Sequence, residues 1–487
     1  MTGSPGLDGF TRMLGILFGF VLLVWLSYRG WTVLVLAPIA ALLAAGAAGE
    51  PLLHHWTATF MGAAGRFVAQ FFPIFLLGAV FGKLLDDSGS ATAIARVASE
   101  ALGARRAVLA GALLTYGGLG AFAAFFVLAP MAQTLFRTAG VPHRLIPAAI
   151  ALGTSTFTQS ALPGSPAVRN AVPTAFFGTN LLAAPGLGLV GAAITLAFGL
   201  WWLRRASAAA RTDGEGYGDS HVAAELAADD LLVRERATVA DAFDPAEIHR
   251  SQRSAELPGS PAAVLPLLVV IVVNVLLSSA TPAQPGAGFY ADEGVRSHAP
   301  ASGAWALIVA LAAGVVTTAA LNHRRLPSLR ATVDAGANAS ALPIVSVAGL
   351  VGYGAVVTAM PAFGVLEEWI LSTSGGPLVS LAASSTLLAA LTGSASGGLT
   401  IVLEALADDF LALGATYDVG AELLHRVAVM AAGTLDSLPH NGGVVSLIAV
   451  CGSTHRRSYA DVAVVAIVGP VLALVAVITL GSVVGSF

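Results

Sequence analysis

The chain has 487 residues, 56% of them hydrophobic and only 11% charged, with a net charge of −4 and a single cysteine. A soluble protein carries about 25% charged residues, so this composition, with a mean hydropathy of +0.80, excludes an ordinary water-soluble globule. Lone Cys451 excludes an intramolecular disulfide, and the small net charge gives no sign of a nucleic-acid partner.

Apolar runs recur at 13–28, 31–46, 67–85, 181–203, 262–278, 304–321 and 462–484. Several are long enough to cross about 30 Å of hydrocarbon as helices. None shows the short alternating segments of a membrane β-barrel. The expected fold class is therefore an all-α polytopic membrane protein. The first run lacks a basic flank and a small-residue cleavage site, so it reads as a span and not as a signal peptide. The polar stretch 47–64, which carries His54 and His55, reads as a solvated loop outside the membrane. Residues 204–260 form the one long polar stretch and read as a charged cytoplasmic linker, with a short amphipathic helix around 222–235.

The linker divides two halves that resemble each other. FFPIFLLGAVFG at 71–82 resembles ALPIVSVAGLVG at 341–352. In each half a Gly-Gly-Leu is followed 36 positions later by Gly-Thr, from Gly117 to Gly153 and from Gly397 to Gly433. SALPGSP at 160–166 then matches DSLPHNG at 436–442 if a gap is allowed. Ordered matches of this kind mark an internal repeat, a common construction of secondary transporters. The expected domains are a first repeat over 1–203, the linker, and a second repeat over 261–487.

Lysine and arginine collect in cytoplasmic loops. The cationic loops are 96–106, 137–144, the linker, 322–330 and 455–457; the cation-poor ones are 47–64, the turn near Asn180, 279–300 and 408–422. With the cationic loops inside, the first span runs inward and its counterpart at 262–278 runs outward, so the repeats are inverted. Segment 105–137 is apolar yet cationic at both ends, and TYGGLG at 115–120 interrupts it. A re-entrant hairpin dipping from inside satisfies both features. Its counterpart at 377–408 turns at TGSASGG (392–398) and dips from outside. The expectation is about ten spans plus two hairpins, or about twelve hydropathy segments, with both termini outside.

Each half thus holds two breaks in its apolar structure: 115–120 and 154–166 in the first, 392–398 and 434–443 in the second. Broken helices expose N–H groups at the start of their second segment, and those ends attract anions. Donors at the breaks are Gly117, Gly118, Thr158, Ser160, Ser165, Asn170, Ser394, Ser396, Gly397, Ser437 and Asn441. Together they suit a small oxygen-rich anion such as a carboxylate. The same glycines and serines also let membrane helices pack closely, and that reading stands beside the first. Ionisable groups within spans usually face a cavity or a partner, which singles out Asp436, His440 and Glu404 as candidate proton carriers. Arg169 either pairs with a substrate carboxylate or lies near an interface.

Other chemistry finds no support. Asp436, Ser437 and His440 hold the ingredients of a nucleophilic triad, but not the separation one needs. GxxxxGK[ST] and HExxH are both absent from the sequence, so neither ATP hydrolysis nor zinc chemistry is expected, and no cofactor or metal site. Partners would be a small organic anion, protons and the lipid bilayer, with a homodimer possible through the outer spans.

Five stretches carry a family resemblance: FFPIFLLGAVFGKLLDDSG (71–89), LTYGGLGAFAAFFVLAPMA (114–132), GTSTFTQSALPGSPAVRNAVPT (153–174), TGSASGGLTIVLEAL (392–406) and GTLDSLPHNGGVVSLIAVCGSTHRRSYAD (433–461). They resemble the gluconate permease (GntP) family of bacterial organic-acid:proton symporters, over nearly the whole chain except the linker. The resemblance implies uptake of a small organic acid with protons across the bacterial inner membrane. Gluconate, other sugar acids, 3-hydroxybutyrate and D-serine are substrates within the family, and this chain reads closer to its hydroxy-acid or generic permeases. The family's wider superfamily is built from inverted repeats with opposed hairpins. It also contains the alternatives: sodium-coupled carboxylate transporters and cation/proton antiporters.

Overall fold

The computed structural model describes residues 18–19, 21–23, 25–26, 33–101, 106–217, 251–252, 254, 256–280, 302–360, 363–364, 368, 370, 375–439 and 441–487. Among them the regular structure is entirely helical. Six helices are long and apolar enough to cross a membrane: Leu52–Asp87, Pro185–Thr212, Ser260–Ala280, Trp305–Asn322, Leu329–Thr358 and His455–Val484. At about 1.5 Å per residue, 18 or more residues span about 27 Å or more, so the chain is a multi-pass membrane protein.

After helical backbone near residue 20, the first half contains α1 (Val33–Ala47), α2 (Leu52–Asp87), α3 (Ser90–Ala101), α4 (Arg106–Tyr116), α5 (Ala121–Thr138), α6 (Ile146–Thr154), α7 (Val168–Phe177) and α8 (Pro185–Thr212). The second half contains α9 (Ser260–Ala280), α10 (Ser302–Asn322), α11 (Leu329–Thr358), α12 (Gly376–Thr392), α13 (Ala395–Thr416), α14 (Ala421–Ala432), α15 (Gly442–Val450) and α16 (His455–Val484). Two helix pairs are joined by tight turns: α4 to α5 at residues 117–120, and α12 to α13 at Gly393–Ser394. Two further pairs, α6 with α7 and α14 with α15, are separated by irregular backbone.

Helices α2 and α11 pack along each other, and α1, α10 and α13 join them; α8 packs on α16. The halves interlock at the breaks. Helix α7 lies against α13 and α14, and α15 lies against α5. Each half therefore sends the segment after its break onto the other half's hairpin. At the second hairpin the close approach of the arms depends on Gly398, where a Cβ would lie 2.4 Å from the Ala389 backbone nitrogen.

Three expectations change. Helix α2 starts at Leu52, so 52–64 is helical and not a loop, and His55 is buried with Nε2 3.9 Å from a Glu50 oxygen. Helix α8 runs nine residues into the linker, to Thr212, because RRASAAART is rich in the best helix former and its Ala206 and Ala210 are buried. The end of the linker is held as well as solvated: the Ser254 N–H donates to the Asp87 carbonyl at 2.7 Å, and the Ser251 hydroxyl donates to the Asp87 carboxylate. That carboxylate also takes Lys83 Nζ at 2.9 Å and the Thr332 hydroxyl at 2.8 Å. The amphipathic stretch expected at 222–235 lies outside the described residues.

Candidate functional site

The first break follows α6 with a helical turn, Phe157–Ser160, then turns and irregular chain through Pro163 and Pro166 into α7. Its hydroxyls largely turn back on their own helix carbonyls, as such side chains do when buried. Thr158 donates to the Gly153 carbonyl at 3.0 Å and Ser160 to the Thr156 carbonyl at 3.0 Å. Tyr116, at the end of α4, donates to the Pro163 carbonyl at 2.7 Å and ties the first hairpin to this break.

The second break, residues 433–441, is organised around Asp436. Asp436 Oδ1 accepts from the Ala395 N–H and from Asn441 Nδ2, each at 3.0 Å. Its Oδ2 accepts from Arg169 Nη2 at 3.0 Å. Ala395 is the first residue of α13, so the carboxylate sits on the N-terminus of that helix, where unpaired N–H groups and the helix dipole favour negative charge. Ser394 caps the same helix by accepting from the Gly397 N–H at 3.1 Å. The Ser396 hydroxyl lies 3.4 Å from that of Ser394. Asn441 holds three elements at once. Its amide donates to the Gly393 carbonyl at 2.9 Å, and its oxygen accepts from the Gly443 and Val444 N–H groups at the start of α15. Thr386 of α12 donates to the Ala431 carbonyl at 3.0 Å, fixing the hairpin against α14.

Arg169 reaches Asp436 because α7 crosses onto α13 and α14. The pair bridges 267 positions of sequence, and the Arg169 and Asp436 side chains keep only 7% and 11% of their surface exposed. A charge pair so enclosed persists only where further hydrogen bonds complete it, and here Ala395 and Asn441 do so. Arg169 Nη1 is buried and has no hydrogen-bond partner. It lies at the bare face of Gly433, 3.3 Å from where a Cβ would stand, beside the Ser160 hydroxyl.

A second buried group stands behind the first. Asn170 donates to the Ser165 carbonyl at 2.9 Å and the Leu181 carbonyl at 3.2 Å, which leaves its oxygen to accept. His425 Nε2 lies 3.2 Å and Arg426 Nη1 3.4 Å from that oxygen. This network assigns the His425 proton to Nε2, and Nδ1 then accepts from the Thr179 hydroxyl at 2.5 Å. Arg426 also donates to the Ala183 carbonyl through Nη2 at 2.6 Å and Nε at 3.0 Å, and to the Ser160 carbonyl at 3.3 Å.

Of the residues proposed from sequence, the structure brings together Arg169, Ser394, Ser396, Gly397, Asp436 and Asn441. Ser160 adjoins them at Gly433, while Ser165 and Asn170 belong to the network behind. Ser437 is buried, and its carbonyl accepts from the Tyr459 hydroxyl at 3.3 Å. Gly117 and Gly118 lie elsewhere. A Cβ on Gly117 would meet the Leu267 side chain at 2.4 Å, and one on Gly118 the Phe81 ring at 3.3 Å, so apolar packing from α9 and α2 surrounds that tip. Glu404 sits nine residues into α13 from Ala395, about 14 Å along the axis at the helical rise. It faces Arg66 at 4.0 Å with 27% of its side chain exposed. His440 lies outside the described residues. No cluster of three or more His, Cys, Asp or Glu suited to a metal ion occurs among the described residues. His425 and Arg426 were not singled out from sequence; an adjacent histidine and arginine in the middle of the apolar helix AELLHRVAVMAA were the signal that could have found them.

The model of the GntP family permeases matches residues 11–202 of the chain. The chain is 36% identical over 482 residues to the uncharacterized transporter YxjC of Bacillus subtilis (strain 168), across 96% of this chain and 98% of that protein. Among solved structures, MtrF of Neisseria gonorrhoeae, of a class of antimetabolite efflux pumps, aligns with a TM-score of 0.51 at 14% identity, over 89% of this chain and 84% of that one. The likeness to MtrF concerns the fold. The YdaH transporter of Alcanivorax borkumensis aligns with a TM-score of 0.46 at 17% identity over 88% of each chain.

Proposed function

This chain belongs to the GntP permease family, a secondary transporter and not an enzyme, and from that premise we propose that it imports a small organic acid together with protons. The observation that carries the reading is the buried pair of Arg169 and Asp436, set where α7 of the first half meets the break and the hairpin tip of the second. Arg169 and the donors around Ser394, Ser396, Gly397 and Asn441 suit a carboxylate, and Asp436 is the group that takes the proton. A one-unit pH difference supplies about 1.4 kcal/mol per proton, so a few units concentrate an acid many-fold.

The repeated order of elements, with a tight hairpin and a broken helix in each half, supports ten spans plus two opposed hairpins in inverted repeats. Family membership supports the bacterial inner membrane as the location, and the cationic loops support placing both termini on its periplasmic side. Alternating access is movement of the hairpins and breaks against a scaffold led by the α2–α11 pair.

Uptake of radiolabelled gluconate and 3-hydroxybutyrate into proteoliposomes tests this. Accumulation should follow an inward proton gradient, vanish when the gradient is collapsed, and be lost in Asp436→Asn. Accumulation that survives collapse but requires sodium would overturn proton coupling. Uptake of neither acid under any gradient would overturn the carboxylate substrate.

A further inference from the structure

We propose that Asp436 is the resident occupant of the substrate's own carboxylate seat, so that the anion enters only when Asp436 has taken up a proton. This rests on the reading of the chain as a carboxylate:proton symporter and specifies how the two ligands of that one site are coupled.

Three donors from three elements converge on one carboxylate: Ala395 N–H from α13, Asn441 Nδ2 from the second break, and Arg169 Nη2 from α7. A helix N-terminus, an amide and a guanidinium are the donors a free carboxylate seeks. The seat also has a donor that Asp436 does not use. Arg169 is more than nine-tenths buried, and its Nη1 is unpartnered beside Gly433. Asp436 is tethered to the chain and engages the fork through Nη2 alone. An untethered carboxylate can span both nitrogens in the bidentate geometry that makes guanidinium–carboxylate pairs strong.

Two carboxylates cannot share this seat while both are ionised, since like charges a few ångströms apart force one to protonate. A proton from water bonds to an Asp436 oxygen, and the neutral acid no longer holds Arg169 as an ion pair. The substrate carboxylate then takes Arg169 and the α13 N-terminus. No covalent bond of the substrate changes. On the far side Asp436 loses its proton to water and reclaims Arg169, which expels the anion. One seat thus carries one proton with one monocarboxylate, and their charges cancel.

The other titratable groups nearby are engaged elsewhere. From α14, His425 and Arg426 are turned to Asn170 and to backbone carbonyls. From α16, His455 and Tyr459 reach the carbonyls of Pro439 and Ser437. On α13, Glu404 is far along the helix and faces Arg66. His440 adjoins the seat in sequence and lies outside the described residues.

The test is equilibrium binding of radiolabelled gluconate and 3-hydroxybutyrate to the full-length protein in nanodiscs, across pH. In the wild type the affinity should fall about tenfold per pH unit once Asp436 is ionised, because only the protonated fraction binds. Asp436→Asn mimics the neutral acid and keeps an acceptor for Arg169 and Ala395. It should bind at every pH at least as tightly as the wild type at low pH, without accumulating substrate. Adding Arg169→Gln to that variant should remove binding at every pH. Wild-type uptake should also be unchanged by an imposed potassium-diffusion potential, a measurement that needs no variant to fold.

Weaker binding in Asp436→Asn, an undiminished pH slope in that variant, or potential-driven uptake would overturn the seat exchange while leaving proton-driven uptake intact. If the wild type neither binds nor accumulates either acid, the symport reading itself fails.

Discussion

Arg169 and Arg426 are both arginines buried in a membrane protein, yet they are satisfied in opposite ways. Arg426 is enclosed completely and donates to the carbonyls of Ser160, Leu181 and Ala183 and to the Asn170 amide oxygen. Arg169 holds one carboxylate and leaves a nitrogen over. Carbonyls do not titrate and are fixed to the backbone, so Arg426 has one stable arrangement. A carboxylate can be neutralised or replaced, so Arg169 has at least two. The same side chain serves as structure in one place and as a switch in the other, and its partners decide which.

The comparison breaks most decisively at Arg426. Replacing it with Gln strips donors from several buried carbonyls at once, and each such orphan costs about 1–3 kcal/mol. Arg426→Gln should therefore fall by several kcal/mol, seen as a large drop in melting temperature or loss of monodisperse protein. Arg169→Gln should lose less, since Ala395 and Asn441 still serve Asp436 and the orphaned carboxyl can take up a proton, yet it should not transport. Equal melting losses in the two variants would show that the arginines share one structural role.

A smaller effect is expected at Gly433. A methyl there would stand 3.0 Å from Ser160 Cβ and 3.3 Å from Arg169 Nη1, tighter than ordinary packing. Gly433→Ala should cost about 1–3 kcal/mol as local overpacking and displace the guanidinium. The KM for the transported acid should rise about tenfold or more, with thermal stability changed less than in Arg426→Gln. An unchanged KM would mean that the free nitrogen of Arg169 plays no part in binding.

His425 sharpens the contrast from the other side. Its Nε2–H is committed to Asn170 and its Nδ1 to Thr179, which fits a neutral ring that positions the first break. His425→Gln can keep an N–H toward Asn170. It should lose about 1 kcal/mol, the size of one hydrogen bond, and retain the pH dependence of uptake. Loss of that pH dependence would move the proton carrier from Asp436 to His425.

Much of this contrast was legible in the residues and some was not. The glycine runs marked both turns, because glycine weakens a helix interior wherever it falls. They could not show that apolar side chains of α9 and α2 surround the first turn while Asp436 and Asn441 meet the second. Asp436, Ser394 and Asn441 stood out as polar groups in apolar surroundings. Arg169 stood out too, but its pairing with Asp436 did not, since 267 positions separate them and only the crossing of α7 onto α13 joins them. Glu404 left a question open for the same reason: a charge in an apolar helix signals a partner or a cavity, and sequence alone does not say which face it takes.

Glu404 accordingly marks the lower end of the scale. It lies on the same helix as the seat, but faces Arg66 at 4.0 Å, with the arginine more than half exposed. Exposed pairs of this kind contribute about 0–1 kcal/mol, and the distance is at the outer limit of an ion pair. Glu404→Gln should leave melting temperature, KM and proton dependence within error of the wild type, in the same proteoliposome assay in which Asp436→Asn loses accumulation. Failure of Glu404→Gln to accumulate substrate would put a second proton carrier on α13. That second proton would also make transport of a monocarboxylate carry net charge, so the potential dependence of uptake in the wild type decides between one carrier and two.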